Sequence, residues 1–120
     1  MTMRFAPLAH LRSTQPTSHL QAYSAADTLD AAVARGEQVS YRMRTEIRAQ
    51  AGYAAHQVLE AIQILVNVHG ADSFAESSPT QQFWRDANTA ARHTALNAII
   101  RHKVYGKALL GVDEVVTRLV

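Results

Sequence analysis

SYRMRTEIRAQAGYAAHQVLEAIQILVNVHG, residues 40–70, is the stretch whose reading decides the fold. Met43, Ile47, Ala51, Ala54, Val58, Ile62, Leu65 and His69 recur at steps of three and four. At about 100° per residue that spacing puts them on one helical face. Leu59 and Val66 widen the stripe, while Arg42, Glu46, Arg48, Gln50, Gln57, Glu60, Gln63 and Asn67 fill other faces. Ser40 suits the start as a cap and Gly70 suits the end. The one interior glycine, Gly52, costs a helix about 1 kcal/mol against alanine, or marks a place where a neighbour comes close.

Upstream, residues 1–17 read as an arm, with Thr14 to Ser18 a loop around Pro16 that ends in a cap. Leu20, Tyr23, Ala26, Leu29 and Val33 then keep helical spacing, and Gly36 stands where a left-handed C-terminal residue belongs. Downstream, Gly70 to Pro79 is a polar connection in which Phe74 is expected to turn inward. Ser78 and Pro79 open a third helix that is expected to run to about Val104. Gly106 and Gly111 bracket a short fourth helix, and Asp113 to Val120 add a last turn. No strand pattern and no internal repeat is present. With 120 residues, abundant alanine, five Gly and three Pro, the chain is one all-α domain. It reads as an up-and-down bundle of three to four main helices over 18–120, preceded by the arm.

Composition excludes several functions. With no cysteine there are no disulfides, thiolate nucleophiles or cysteine-bound metals, which agrees with a cytoplasmic setting. The N-terminus is broken by Pro7, His10, Arg12 and Ser13 and is not a signal peptide, and no run reaches the roughly 18 apolar residues of a membrane span. The net charge of +2 is weak. The groups Arg42, Arg44, Arg48 and Arg101, Lys103, Lys107 read as solvated helix faces, so no nucleic-acid partner is expected. None of the six histidines has a glutamate three residues before it or a second histidine four residues away, so no metal is expected. His10, His19 and His102 are expected to be exposed, and His56 and His69 to lie at helix surfaces. Gly-rich phosphate loops and a G-x-S-x-G elbow are also missing.

The chemistry-bearing stretch is residues 78–97, SPTQQFWRDANTAARHTALN. Asp86, Ala90, His93 and Asn97 recur at spacings of four, three and four, which puts them on one face of the third helix. Polar groups on such a face are costly to bury without partners, which makes them the candidates for a site.

Phe83-Trp84-Arg85-Asp86-Ala87, then His93, Ala95, Leu96 and Asn97, then Tyr105-Gly106-Lys107-Ala108-Leu109-Leu110-Gly111 resembles the C-terminal helical domain of acyl-CoA dehydrogenase-fold flavin monooxygenases. Gly70-Ala71-Asp72-Ser73-Phe74 and Ser78-Pro79 resemble the connection before that family's Arg-Asp helix. The resemblance covers roughly Leu20 to Gly111. It implies a helical bundle that covers one side of a flavin, FAD or FMN, shared with another chain, and that forms the oligomer interface. It further implies that His93 faces flavin and substrate as a proton shuttle or hydrogen-bond donor, and that Asn97 orients the imidazole or a substrate oxygen. The cofactor edge is assigned to Arg85, Asp86, Gln63 and Trp84, with His69 near it. A homo-oligomer, a small-molecule ligand and a partner flavoprotein follow from the same resemblance, because the family's other flavin-holding domains lie outside these 120 residues. Acyl-CoA dehydrogenation is disfavoured, since Thr94 stands near the place of that branch's catalytic glutamate and no acidic residue occurs between Asp86 and Asp113.

Two other readings stay open. The domain is a purely structural oligomerisation module, with Trp84, Phe83 and Phe74 as core or interface aromatics and Arg85–Asp86 as a buried salt bridge. Or it is a stand-alone enzyme that uses His93 as acid or base without flavin.

Overall fold

The computed structural model describes residues 5–112 together with Val116, with side chains described from Thr17 onward. Four helices form: α1 Phe5–Ala34, α2 Tyr41–His69, α3 Pro79–Ala91 and α4 Ala98–Leu109, with a single 3-10 turn at Ala71–Phe74. No strand occurs among the described residues, and the architecture is the expected all-α bundle. The second helix is the spine, and α1, α3 and α4 each pack mainly against it. A 30-residue helix is about 45 Å long, so α1 and α2 set the long axis of a molecule measuring 52 × 26 × 24 Å.

The caps explain why α2 begins and ends where it does. Ser40 Oγ accepts from the Met43 N–H at 3.2 Å. Gly70, at φ 84°, donates its N–H to the Val66 carbonyl at 2.9 Å. The first helix closes in a Schellman motif. Gly36, at φ 66°, donates to Val33 O at 2.9 Å, and Glu37 donates to Ala32 O at 3.0 Å. Arg35 then grips the Glu37 carboxylate at 2.9 and 3.0 Å. That hydrogen bonding, with the attraction of the guanidinium, lowers the Glu37 pKa below its ordinary value.

Several expectations are corrected. The first helix starts at Phe5 and continues through Pro16, so residues 5–17 are helical rather than a loop ending at Ser18. A proline inside a helix costs about 3 kcal/mol. The contact of α1 with α2 is the most extensive in the chain, and packing of this kind outweighs local propensity. The third helix stops at Ala91 instead of running to Val104, and α4 passes through Gly106 to end at Leu109, with Gly111 at φ 67° closing it. Phe74 is half exposed and lies edge-on to Trp84, with ring centroids 5.5 Å apart. The side chain of His10 and the turn expected over 113–120 lie outside the described residues.

The interior is built from small and polar residues. The first helix buries Ser18, Ala25 and Ala32, seven residues apart, while its apolar stripe faces outward: Leu20, Tyr23 and Val33 are 68, 66 and 65 % exposed. Among the described residues the buried apolar set is Ala25, Ala32, Ala54, Val66 and Val104. A ridge of small residues lets two helices approach closely, but it removes little hydrocarbon from water.

Gly52 is the place of close approach that the sequence allows for. A Cβ there would lie 2.5 Å from Arg101 Cδ and 2.8 Å from Nη1, so the arginine of α4 occupies the space that a side chain on α2 would fill. Arg101 is 4 % exposed, its Nε and Nη1 meet no acceptor, and burial pushes its pKa down. Isolated buried charge is costly, and an apolar replacement of similar length removes that cost. Arg101→Met is therefore expected to stabilise the chain by about 1–2 kcal/mol in urea unfolding. A loss of stability would show that the guanidinium is held by an acceptor.

Candidate functional site

The segment Arg92–Asn97 between α3 and α4 is held by side chains that compete with the helix for backbone groups. The Arg48 guanidinium reaches from α2 and its Nη2 donates to the Thr94 carbonyl. His93 Nδ1 accepts from the Ala95 N–H at 3.2 Å, and His93 O accepts from the N–H groups of Leu96 and Asn97 at 2.9 and 3.0 Å. Asn97 is the N-cap of α4: its Oδ1 accepts from Ile99 at 3.0 Å and Ile100 at 3.5 Å.

This corrects the shared face expected of Asp86, Ala90, His93 and Asn97. Asp86 and Ala90 belong to α3, His93 stands in the turn, and Asn97 starts the next helix. His93 and Asn97 are joined through the backbone rather than by their side chains. The His93 ring is exposed, and with Nδ1 accepting, Nε2 carries the proton of the neutral imidazole.

Two of the expected cofactor residues do come together. The Trp84 indole N–H donates to Gln63 Oε1 at 3.2 Å, and Gln63 Nε2 donates on to Asn67 Oδ1 at 3.1 Å. Trp84 and Arg85 line a cleft of about 320 Å³ with Asn88, Thr89 and Arg92. Asp86 turns to the other side of α3. There it lines a larger groove of about 720 Å³ against α2, with Ile62, Leu65, His69, Thr80 and Phe83. Arg85 Nε and Asp86 Oδ1 are 3.8 Å apart and both side chains are about three-fifths exposed, so the pair is not a buried salt bridge and adds little stability.

The groove is the feature that sequence reasoning did not assemble. Its signal was present as Ile62, Leu65 and His69 on α2 and Thr80, Phe83 and Ala87 on α3, each set at spacings of three and four. His56, His69 and His102 lie exposed, and His19 is exposed with its ring edge-on to Tyr23. No group of three or more His, Cys, Asp or Glu placed to hold a metal occurs among the described residues, and no helix among them is long and apolar enough to cross a membrane.

The family described as "Acyl-CoA dehydrogenase, C-terminal domain" matches residues 5–98. The chain belongs to that family. Its relatives include the flavin-dependent monooxygenase oxygenase subunit HsaA of Rhodococcus jostii, 29 % identical over 88 % of this chain. Another is the FADH2-dependent resorcinol hydroxylase oxygenase component of a Rhizobium species, 30 % identical over 82 % of this chain. Among solved structures, XiaF from Streptomyces in complex with FADH2 and glycerol superposes with a TM-score of 0.89 and 35 % identity over 99 % of this chain. The HsaA monooxygenase of Mycobacterium tuberculosis shares the fold, with a TM-score of 0.81 at 21 % identity over 93 % of this chain. The chain spans only 28 to 30 % of the length of these proteins.

Trp84 is the only tryptophan, so it reports on the α2–α3 face alone. Gln63→Leu is expected to leave the indole N–H without its acceptor, at a cost of about 1 kcal/mol. The check is a shift of the indole N–H resonance together with a lower urea midpoint. An unmoved resonance would show that this hydrogen bond is absent in solution.

Proposed function

We propose that this chain is the C-terminal helical part of the oxygenase component of a two-component flavin monooxygenase acting on an aromatic substrate. The observation that carries this reading is the likeness to XiaF, which extends over 99 % of the chain at 35 % identity and was solved with FADH2. The resorcinol hydroxylase among the relatives supports the aromatic class. The residues present fit one edge of a flavin. Phe83, Ile62 and Leu65 offer apolar surface for a ring system, and Thr80 and His69 add hydrogen-bonding groups in the same groove. Pyrophosphate binding falls to another region, since the sequence has no Gly-rich phosphate loop.

Reduced flavin supplies the reaction of dioxygen with the substrate. The tasks left to this chain are positioning and proton handling. His93 stands in the turn that Arg48 holds, at the far end of α2 from the α2–α3 groove. Its Nε2–H is therefore offered as hydrogen-bond donor or proton shuttle to substrate or to a flavin edge that reaches that turn, not to a ring held in the groove. Asn97 keeps its Nδ2 for a substrate oxygen while its Oδ1 caps α4. Asp86 lies in the groove with the apolar surface, while Gln63, Trp84 and Arg85 offer cofactor contacts on the other side of α3. The flavin, FAD or FMN, is shared with another chain, renewed by a reductase partner in the cytoplasm. Acyl-CoA dehydrogenation is disfavoured, because the segment between Asp86 and Asp113 carries no carboxylate base.

The outward apolar ridge favours an assembly role beside this one. Leu20, Tyr23 and Val33 on α1, with Val58 on α2, are exposed side chains of the kind that a second subunit covers. Sedimentation is expected to show a dimer or larger species that Leu20→Glu with Tyr23→Glu dissociates while helicity is retained. A monomeric parent chain would remove the assembly role.

The flavin reading is tested by anaerobic titration with FADH2 and FMNH2 while the emission of Trp84 is followed. Saturable quenching by one of them, weakened in His93→Ala, is the expected result. Failure of both flavins to quench, with the chain alone and with a flavoprotein partner added, would overturn the reading.

A further inference from the structure

A second groove, at the opposite end of α2 from the α2–α3 face, has no task in the reading above. It holds about 440 Å³ and is walled by Leu29 of α1, Ile47 and Ala51 of α2, and Leu96 of the 92–97 turn. Two arginines, one helical turn apart on α2, complete it, and no acidic residue lines it. Their places differ. Arg48 is buried and its guanidinium is turned onto the Thr94 carbonyl, so it supports one wall. Arg44 is exposed at the mouth, its guanidinium carbon 5.9 Å from the centre of the Tyr41 ring, and it makes no ion pair with a carboxylate among the described residues. From the sequence, Arg42, Arg44 and Arg48 read as one solvated basic face. The structure leaves Arg42 in water, buries Arg48 and sets Arg44 over an apolar hollow.

An apolar cavity of this size with one cation at its rim matches a definite kind of molecule. The body must be hydrocarbon, because the walls offer almost nothing polar, and the head must be anionic, because a guanidinium beside a low-dielectric wall attracts charge more strongly than it does in open water. A carboxylate suits the planar fork of arginine, which can donate two parallel N–H bonds to its two oxygens. We propose that this groove binds an amphipathic carboxylate, an alkanoate or aryl-alkanoate anion, with its tail against Ile47, Ala51 and Leu96 and its head on Arg44. The site is separate from the α2–α3 groove, so it stands or falls independently of a flavin ring bound there. Ala95 also lines it, which puts the bound molecule against the turn that carries His93.

The test is amide chemical-shift mapping of the whole chain with sodium octanoate at neutral pH, repeated with octanol and with Arg44→Gln. Saturable shifts are expected at Ile47, Ala51 and Leu96. Affinity is expected to fall about tenfold for octanol and for Arg44→Gln, the effect of losing one charge-assisted contact near a surface. Ala51→Leu, which fills the hollow, should abolish the shifts while the shifts of α3 stay in place. The proposal is overturned if octanol binds as well as octanoate, if Arg44→Gln binds unchanged, if the shifts map to the α2–α3 groove, or if none saturates.

Discussion

One hydrogen bond sets the course of the second half of the chain. The guanidinium of Arg48, carried on the central helix, takes the carbonyl of Thr94. In an unbroken helix that carbonyl would accept from the amide four residues on. Drawn sideways instead, it stands in a turn where His93 and Asn97 supply the other ends with their own side chains. The fourth helix then starts in a new direction and lies back on α2, where Arg101 meets the bare backbone of Gly52. Burying a guanidinium costs several kcal/mol, and a charge-assisted bond to a carbonyl offsets part of that cost. A contact of this expense determines shape more than stability. It decides where one helix stops and in which direction the next one leaves.

The rest of the interior follows the same pattern. The helices meet through Ser18, Ala25, Ala32, Gly52 and Ala54 rather than through leucines and phenylalanines. Among the described residues, the largest side chains sealed from water are Val104, Thr45 and Ser73. The radius of gyration is 17.3 Å, against about 14 Å for a compact domain of this length. Large apolar residues lie on the outside, along α1 and around the α2–α3 groove. Exposed apolar surface of this extent marks places where protein or ligand binds. That agrees with a chain spanning under a third of the length of its relatives.

Much of this was legible in the sequence, and the limits have physical causes. The extent of α2, its cap at Ser40, its stop at Gly70 and the start of α3 at Pro79 are local matters of backbone geometry, and they read correctly. So did the left-handed end at Gly36. The family was readable from the Phe83–Asp86 and His93–Asn97 segments, which lie within the residues that the family matches. The break after Ala91 was not readable, since no glycine or proline marks it and the Arg48 guanidinium that meets the turn at Thr94 lies 46 residues away. Helical spacing in α1 was plain, but periodicity gives a face and not its partner, so nothing local said that the alanine ridge would pack and the leucine ridge would not. Of the candidate site, Gln63 and Trp84 proved to be neighbours. Asp86 parted from His93 because the helix assumed to join them ends between them.

The most direct test of this account is the backbone of residues 92–97 in Arg48→Met, read from Cα chemical shifts with α2 still folded. Loss of the guanidinium should return the Thr94 carbonyl to its own helix, and helical shifts should spread from Ala91 toward Ala98. Shifts that keep the turn unchanged in the folded variant would contradict the claim that Arg48 makes the break.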